Sequence, residues 1–545
     1  MRGIETGSRF LERRLLIAVA VGLPLAEAVL LALLGIPSGM GLAGQVTALG
    51  PFGVFHDLRW LFVFHESVLS FALGLVALLV LRSLLLIVLV RLAWPGSPPS
   101  RKSVFGGAFA ATVAAVILLS PWVTLLFGAA LVPLSWVFFA ALPPALATIA
   151  VLHHGGVDRD WWRRLPPARS AAWIGLSFVA LSLAALAASG QSPVLAFPAT
   201  AAAGLFNAWA WHKSVLAIVT GLPVRRRRLV PTTVVVAVAI LAVVVGGTQI
   251  GFAAHGVEDP GGPGPGDIDG GEKAVLLVAG FASGCCDDAV GFQASSPNLL
   301  IEQFSYVGLD PSGRPLPHPG DATDADLDRL SQLMSGQVEE LHRRSGGAVA
   351  IVAESEGTLA AEEFLFDYPE APVDRLMLLS PIVDPVRVTY PDRGLEGRGV
   401  VAGYQLRVMT SLIESMAPFQ FSLDGPLADS LRREAAGLRR VWTCASPGVE
   451  EIAVLPLADA VTGISDGEYA IDVVVVPGFH GGLRGRADVQ KMIEAWVTGG
   501  ELLGSELWMT LDRVIAGTAS AWQMPSLDRY WQPQSPDPVG GCGSA

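Results

Sequence analysis

The second half of the chain contains Ala348-Val-Ala-Ile-Val-Ala-Glu-Ser355-Glu-Gly357, an apolar segment that runs into a serine between small residues. The apolar and β-branched residues predict a buried strand, and a helical pattern follows directly. A serine in a strand-to-helix turn has a strained backbone, so the residues two before and two after it must be small to let strand and helix pass closely. Ala353 and Gly357 meet that requirement, and we predict that Ser355 is a nucleophile.

Ser355 has candidate partners later in the chain. His480 is the single histidine after it and follows another apolar strand-like segment. A serine hydroxyl needs an imidazole to take its proton, and a carboxylate must orient that imidazole and stabilise its charged form. Asp459 follows an earlier strand-like segment and is the preferred acid, with Asp466 and Asp472 as alternatives. These residues predict a Ser-His-Asp triad.

Strand-like and helix-like segments alternate through this half, which predicts a doubly wound, mostly parallel sheet. The predicted strands are Ala274 to Ala279, Leu299 to Val307, Ala348 to Ala353, Arg375 to Leu379, Ile452 to Leu457 and Ile471 to Pro477. The predicted helices are Asp324 to Arg344, Thr358 to Phe366 and Ala487 to Thr498. Residues 383–438 are too long for one connection, so we expect them to form a helical cap that contains Tyr404 to Met416.

The order of nucleophile, acid and histidine, together with the turn at Ser355, resembles the α/β-hydrolase superfamily from about Lys273 to Gly499, and in particular its membrane-anchored actinobacterial members. The resemblance implies an oxyanion hole made by the N–H of Glu356 and an N–H from Phe281 or Ala282. It implies no cofactor. Glu354 stands where many lipases have histidine, and Ala353 replaces the usual first glycine of the turn.

The first half of the chain has the composition of a membrane protein. The 545 residues are 52% hydrophobic, with a mean hydropathy of +0.50, which is too apolar for a soluble enzyme. About 20 apolar residues cross a bilayer. Seven stretches approach that length: Leu15 to Leu34, Val68 to Val90, Val104 to Leu126, Leu131 to Leu152, Ala171 to Ala188, Leu195 to Thr220 and Leu229 to Gln249.

Basic residues precede the first stretch and follow the second, fourth and sixth, which predicts a cytoplasmic N-terminus. An odd number of spans then makes the second half extracytoplasmic. We expect a multi-span domain at 1–250, a Gly/Pro-rich linker at 251–272, an α/β-hydrolase domain at 273–530 and a tail at 531–545.

The cysteines and the charge restrict other classes of function. Cys285, Cys286, Cys444 and Cys542 all lie in the second half, where disulfides would persist on the outer face. Adjacent Cys285 and Cys286 are not expected to pair with each other, Cys542 is expected to attach the tail, and buried free thiols are the alternative. Their spacing predicts no metal site. The net charge of -12 argues against nucleic-acid binding.

Ionisable residues also cluster before the second stretch, where His56, Asp57, His65 and Glu66 accompany Trp60. They fit either a wet loop with interfacial aromatic anchors or a loop that meets the hydrolase mouth and holds a lipid head group or acyl acceptor. We group these four with Glu354 as candidate accessory residues. The glutamates that flank Ser355 fit either solvated groups or groups that repel anionic substrates.

Three functions fit this sequence. The first is a membrane-anchored serine esterase or lipase that cleaves acyl esters of lipid or envelope substrates through an acyl-enzyme. The second is an envelope acyltransferase with the same triad. The third is a seven-span transporter or sensor whose hydrolase-like domain has no turnover, since a fold does not guarantee an activity.

Overall fold

The structure is a computed structural model. It describes residues 2–96, 98, 100–132, 135–158, 161, 167–188, 193–221, 273–286, 299–383, 385–414, 422–438, 444–461, 471–502 and 504–525. The expected linker, most of the expected tail and the predicted span from Leu229 to Gln249 lie outside these residues. The expected domain boundaries therefore stay predictions.

The first half forms seven described helices. Their bounds are α1 Arg2–Leu34, α2 Pro51–Val63, α3 Val68–Ala93, α4 Arg101–Leu131, α5 Ser135–Leu152, α6 Ala168–Ala188 and α7 Pro193–Gly221. Among the described residues, six segments are long and apolar enough to cross a membrane: Phe10–Leu34, Val68–Ala93, Val104–Leu131, Val137–Gly156, Ala168–Ala188 and Val194–Gly221. Each corresponds to one of the first six predicted stretches, and together they fit an integral membrane protein. We call α1 to α7 the bundle.

Apolar side chains lie both in the interior of the bundle and on its outer surface. On α3, Leu69 is 68% exposed and Leu73 is 63% exposed, whereas Val90 is fully buried. A soluble protein rarely presents such a surface, because exposed apolar area costs free energy in water. The outward residues of α3 thus fit a helix that contacts lipid.

The second half contains a sheet of six described strands, all parallel, in the order β2-β1-β3-β4-β5-β6. The strands are β1 Lys273–Val278, β2 Leu299–Gln303, β3 Val349–Glu354, β4 Val373–Leu379, β5 Glu450–Pro456 and β6 Asp472–Val476. The described helices of this half are α8 Leu327–Ser345, α9 Glu356–Asp367, α10 Val400–Glu414, α11 Pro426–Leu438, α12 Ala487–Val497 and α13 Glu506–Ala519. The predicted strands and helices are confirmed, with shifts of a few residues at their ends.

Both faces of the sheet are covered, as in a doubly wound fold. Every residue of β3 is buried, and alternate residues belong to two separate apolar clusters. Ile351 packs in the larger cluster with residues of α8 and α9, whereas Val352 packs on the other face with residues of α12. Because successive side chains of a strand point to opposite faces, this division follows from the continuous apolar run in the sequence.

The expected cap forms two described helices that pack in different places. The first, α10, packs against α2, α3 and α4 of the bundle, and the second, α11, packs against α8 and α9. The segment before α10 joins the bundle through backbone hydrogen bonds from Val386 N to Leu131 O (2.8 Å) and from Arg387 N to Ala130 O (2.9 Å). The insertion therefore connects the sheet domain to the bundle.

The segment that follows α13 is buried in the bundle. Trp522 stacks on Phe178 with ring centroids 4.7 Å apart, and its indole N–H donates to Ser182 Oγ at 2.8 Å. Arg59 of α2 is fully buried and donates to the carbonyl of Gln523 at 2.7 Å. Residues distant in sequence thus hold the end of the described chain inside the bundle.

The prediction about the adjacent cysteines is wrong. Cys285 and Cys286 are joined by a disulfide across a cis peptide bond. Their Cα atoms lie 3.1 Å apart. Cys444 is also disulfide-bonded, so the alternative of free thiols is wrong for these three. Cys542 lies outside the described residues.

Candidate active site

Ser355 occupies the sharp turn between β3 and α9. Its backbone has φ 55° and ψ −120°, a region that non-glycine residues rarely adopt and that marks strained, functional positions. The turn also brings α9 close to the end of β1, so a small residue is required at position 357, as the sequence indicates. A Cβ on Gly357 would lie 2.7 Å from the carbonyl oxygen of Ala279, so a larger residue would push β1 and α9 apart.

Ser355, His480 and Asp459 form one chain of hydrogen bonds. Ser355 Oγ lies 2.8 Å from His480 Nε2, and His480 Nδ1 lies 3.0 Å from Asp459 Oδ2. The side chains of His480 and Asp459 are each only 5% exposed. With the imidazole neutral, Nδ1–H donates to Asp459 and Nε2 accepts from Ser355, which is the tautomer that a general base requires.

Asp459 is the acid that geometry selects among the described residues. It lies in the short 3-10 turn Leu457–Val461 directly after β5. Asp472 is the first residue of β6, at the end of that strand opposite His480. Asp466 lies outside the described residues.

The three side chains converge where ligands bind in open α/β sheets. The chain runs from β1 to its neighbour β2 and then to β3 on the other side of β1, so the strand order reverses between β1 and β3. Crevices at such a switch point, outside the carboxyl ends of the strands, are the usual binding sites of this class of sheet. Ser355 follows β3 at that crevice, and the loop with Phe281 follows β1.

The expected oxyanion donors lie on both sides of this crevice. Glu356 is the first residue of α9, where no preceding helical turn supplies a carbonyl for its N–H. A Cβ on Gly280 would lie 2.9 Å from Ser355 Cβ, so the loop before Phe281 runs close beside the serine. The N–H of Ala282 donates to Thr323 Oγ1 at 2.9 Å and is therefore already engaged.

Glu354 connects the turn at Ser355 to the loop that carries His480. It is 6% exposed, and its Oε1 accepts a hydrogen bond from Leu483 N at 2.6 Å. Its Oε2 lies 3.9 Å from Arg484 Nε. Glu354 thus has a structural role, and the alternative of a solvated group is wrong for it.

Glu356 is buried as well, so it is not a solvated group either. Its side chain lies near Tyr306 and Asp324, and no described residue forms a hydrogen bond with its carboxylate oxygens. Burial raises the pKa of Glu356 well above its ordinary value, and the charge of Asp324 adds to the shift. The burial of this carboxyl group thus favours its protonated, uncharged form.

His65 and Glu66 lie against the sheet domain. His65 is 2% exposed; its Nδ1–H donates to Leu61 O at 2.8 Å, and its Nε2 accepts from Val401 N at 2.8 Å. Burial lowers the pKa of His65, which fits a neutral ring in both roles. Glu66 pairs with Arg398 at 3.1 Å. The loop meets the first turn of α10 and not the triad.

His56 and Asp57 belong to a buried ionic chain in the bundle. His56 Nε2 lies 2.9 Å from Glu27 Oε1, and His56 Nδ1 lies 2.9 Å from Asp57 Oδ1. Asp57 also accepts from Arg82 Nε at 2.7 Å. Because His56 is 3% exposed, the alternative of a wet loop is wrong for this residue. Glu27 and Arg82 lie in other helices, so the local sequence around His56 does not indicate them as partners.

Among the described residues, one trio of carboxylates has its oxygen atoms close enough together to share a metal ion. Asp328, Glu363 and Glu434 each place an oxygen within 4.8 Å of the others. Burial and neighbouring carboxylates raise the pKa of both Glu363 and Glu434 to about 7. A proton on Glu363 or Glu434 would lower the repulsion among the three groups.

Two serines of the site had no signal in the sequence. Ser380 follows β4, and its Oγ accepts from Gly481 N at 3.3 Å, next to His480. Ser135 begins α5 of the bundle and donates through its hydroxyl to Asp459 Oδ1. Serine is common at helix starts and after strands, so neither position is recognisable before the fold is known.

A hydroxyl, an imidazole and a buried carboxylate in this order can carry out nucleophilic acyl transfer. No protein-family model, curated protein or solved structure matched the chain. Any function assigned to this chain therefore rests on the chemistry of these residues.

Proposed function

We propose that the protein is a membrane-embedded serine hydrolase of the α/β-hydrolase type that cleaves acyl esters of lipid or envelope substrates. The observation that carries this proposal is the chain of hydrogen bonds from Ser355 through His480 to Asp459 at the switch point of the sheet. A serine with a strained backbone, a histidine within hydrogen-bond distance of it and a buried carboxylate on the other ring nitrogen is the arrangement that a nucleophile, its base and an orienting group require.

The proposed reaction has two halves. Ser355 Oγ attacks the ester carbonyl carbon while His480 Nε2 takes its proton, and the negative charge moves to the carbonyl oxygen. The N–H of Glu356, and by analogy with the family that of Phe281, would stabilise this oxyanion. As it collapses, the carbon to alkoxide bond breaks and His480 returns the proton to the leaving alcohol. Water then repeats these steps on the acyl-enzyme, releases the acid and regenerates Ser355.

The position of the site beside the bundle supports an amphiphilic substrate. Phe479, next to His480, is 56% exposed, and its ring lies 6.0 Å from that of Phe139 of α5. An exposed aromatic side chain at this position offers an apolar contact for an acyl chain. The basic residues between the spans support a catalytic domain on the outer face.

The test is labelling of intact cells with a membrane-impermeant fluorophosphonate. We expect the wild type to be labelled and Ser355→Ala and His480→Ala to lose labelling. Ser345→Ala, which alters a hydroxyl bonded to the backbone at the end of α8, is the matched control and should label normally. Labelling only after permeabilisation would contradict the outward orientation. Equal labelling of wild type and Ser355→Ala would contradict the proposed nucleophile.

A further inference from the structure

Ser135, at the start of α5 in the bundle, contacts the proposed triad directly. Its hydroxyl donates a hydrogen bond to Asp459 Oδ1, while the other carboxylate oxygen, Oδ2, accepts from His480 Nδ1 at 3.0 Å. Ser135 is fully buried and Asp459 is 4% exposed. The two residues are separated by 324 positions in the chain, so only the folded arrangement of the bundle and the sheet brings them together.

A donor at this position has a defined physical effect. A buried carboxylate loses its water, and each of its oxygens must then find donors within the protein. A hydrogen bond to an ionised group is also stronger and more directional than one between neutral groups. A donor on Oδ1 therefore restrains rotation of the carboxylate and keeps Oδ2 aimed at His480.

The helix α5 also contacts the two loops that carry Asp459 and His480. The helix packs against the turn Leu457–Val461, which contains Asp459. One turn further along, Phe139 packs edge-on against Phe479, with interplanar angle 76°. The same end of α5 thus touches the acid loop and the histidine loop.

From these contacts we infer that Ser135 is a positioning residue of the hydrolase and that the bundle completes its active site. The inference rests on the proposed function, because it assigns Ser135 a role through Asp459. It gives the bundle a part in catalysis beyond holding the enzyme in the membrane. A change in the position of α5 would alter the orientation of His480 without any change in the sheet.

The test is a double-mutant cycle measured as the rate of fluorophosphonate labelling of the full-length protein in detergent. We expect Ser135→Ala to label about tenfold to a hundredfold more slowly than the wild type, which is the effect of losing a hydrogen bond to a charged group. Ser135→Thr retains the hydroxyl and should restore most of the rate. Ser83→Ala is the matched control, since its hydroxyl is fully buried in the bundle but bonded only to Leu79 O of its own helix among the described residues.

The cycle separates positioning from a general loss of structure. In the Asp459→Asn background, which retains measurable residual reactivity in enzymes of this type, Ser135→Ala should cause little further loss. An equal loss in both backgrounds, or a wild-type rate for Ser135→Ala, would overturn the inference while leaving the triad intact. A wild type that does not label would overturn the inference and the proposed function together. Failure of Ser135→Thr to restore the rate, with normal folding, would also overturn the inference.

Discussion

Replacing Glu354 by alanine removes the acceptor that holds the histidine loop against the nucleophile turn. Glu354 Oε1 accepts from Leu483 N at 2.6 Å and from Arg484 N at 3.4 Å. Leu483 is 1% exposed, so its N–H would lose its partner in a place that water does not reach. An unpaired buried N–H costs about 1–3 kcal/mol, and a bond to a charged acceptor contributes about 1.5–3 kcal/mol.

The loss should appear mainly in the rate. His480 lies three residues before Leu483, and a displacement of about 1 Å in a reacting group can lower a rate about 100-fold. We expect Glu354→Ala to lower kcat/KM and the labelling rate by about tenfold to a hundredfold, which corresponds to about 1.4–2.7 kcal/mol of transition-state stabilisation. Glu354→Gln keeps an oxygen acceptor for Leu483 N and replaces the second oxygen, 3.9 Å from Arg484 Nε, with an NH2 group, so its effect should be about threefold.

The assay is the second-order rate of fluorophosphonate labelling in detergent, with hydrolysis of a short p-nitrophenyl ester as a second readout and thermal unfolding as the measure of stability. Glu370→Ala removes an exposed carboxylate after α9 and should behave as the wild type. A Glu354→Ala protein with an unchanged rate would refute the role of Glu354 in positioning His480. A lower unfolding temperature with a normal rate would refute it too, because the carboxylate would then stabilise the fold alone.

Three further outcomes follow from the structure. Gly357→Ala should abolish labelling and destabilise the protein by about 1–3 kcal/mol, because the new Cβ meets the Ala279 carbonyl at 2.7 Å and overpacked cores cost about that much; labelling and thermal unfolding measure both effects. Arg59→Met should destabilise it by about 2 kcal/mol or more in thermal unfolding, since buried carbonyl acceptors lose a charged donor. Burial raises the pKa of Asp512 from an ordinary value of 3.8 to about 6, and Asp459 adds to the shift. Because the folded protein holds this proton more tightly than the unfolded chain, Asp512 stabilises the fold at pH values below its ordinary pKa of 3.8. This contribution is lost as the pH rises through about 6. The unfolding temperature of the wild type relative to that of Asp512→Asn should therefore fall as the pH rises from 3.8 to about 6.

Matched controls accompany these variants. Gly336→Ala adds a Cβ to α8 where no atom lies within 4 Å, and it should be neutral or stabilising. Arg329→Met alters an exposed arginine of α8 and should leave the unfolding temperature unchanged. Parallel unfolding curves for wild type and Asp512→Asn at all pH values would contradict the shifted pKa of Asp512, and normal labelling of Gly357→Ala would contradict the close passage at the turn.

The strands of the sheet and the order of the triad were accessible from the sequence for a physical reason. A strand buried on both faces must be apolar at every position, so β3 is visible as a continuous run, and the small residues around Ser355 indicate how closely the chain passes itself. The same logic identifies the six long apolar helices, because a helix that crosses a bilayer needs mainly sufficient length and an apolar composition. Each of these features can be recognised from a single short stretch of sequence.

The buried polar contacts could not be predicted, because their partners come from distant parts of the chain. His56 and Arg59 look like surface residues until Glu27 and the segment after α13 are placed beside them. Ser135 is an ordinary helix-start serine until the sheet brings Asp459 within reach. The pairing of the adjacent residues Cys285 and Cys286 is likewise not indicated by their spacing in the sequence.

The burial of Trp522 between Phe178 and Phe52 has a consequence for biosynthesis. Chains emerge from the ribosome with the N-terminal region first and generally fold domain by domain. The helices that receive Trp522 are therefore complete long before this residue is made, and the site for it stays open while the sheet is synthesised. Residues 520–524 can therefore insert only after all six described strands have been synthesised, and a chain that stops before α13 would leave an aromatic cavity in the bundle open although those strands are present.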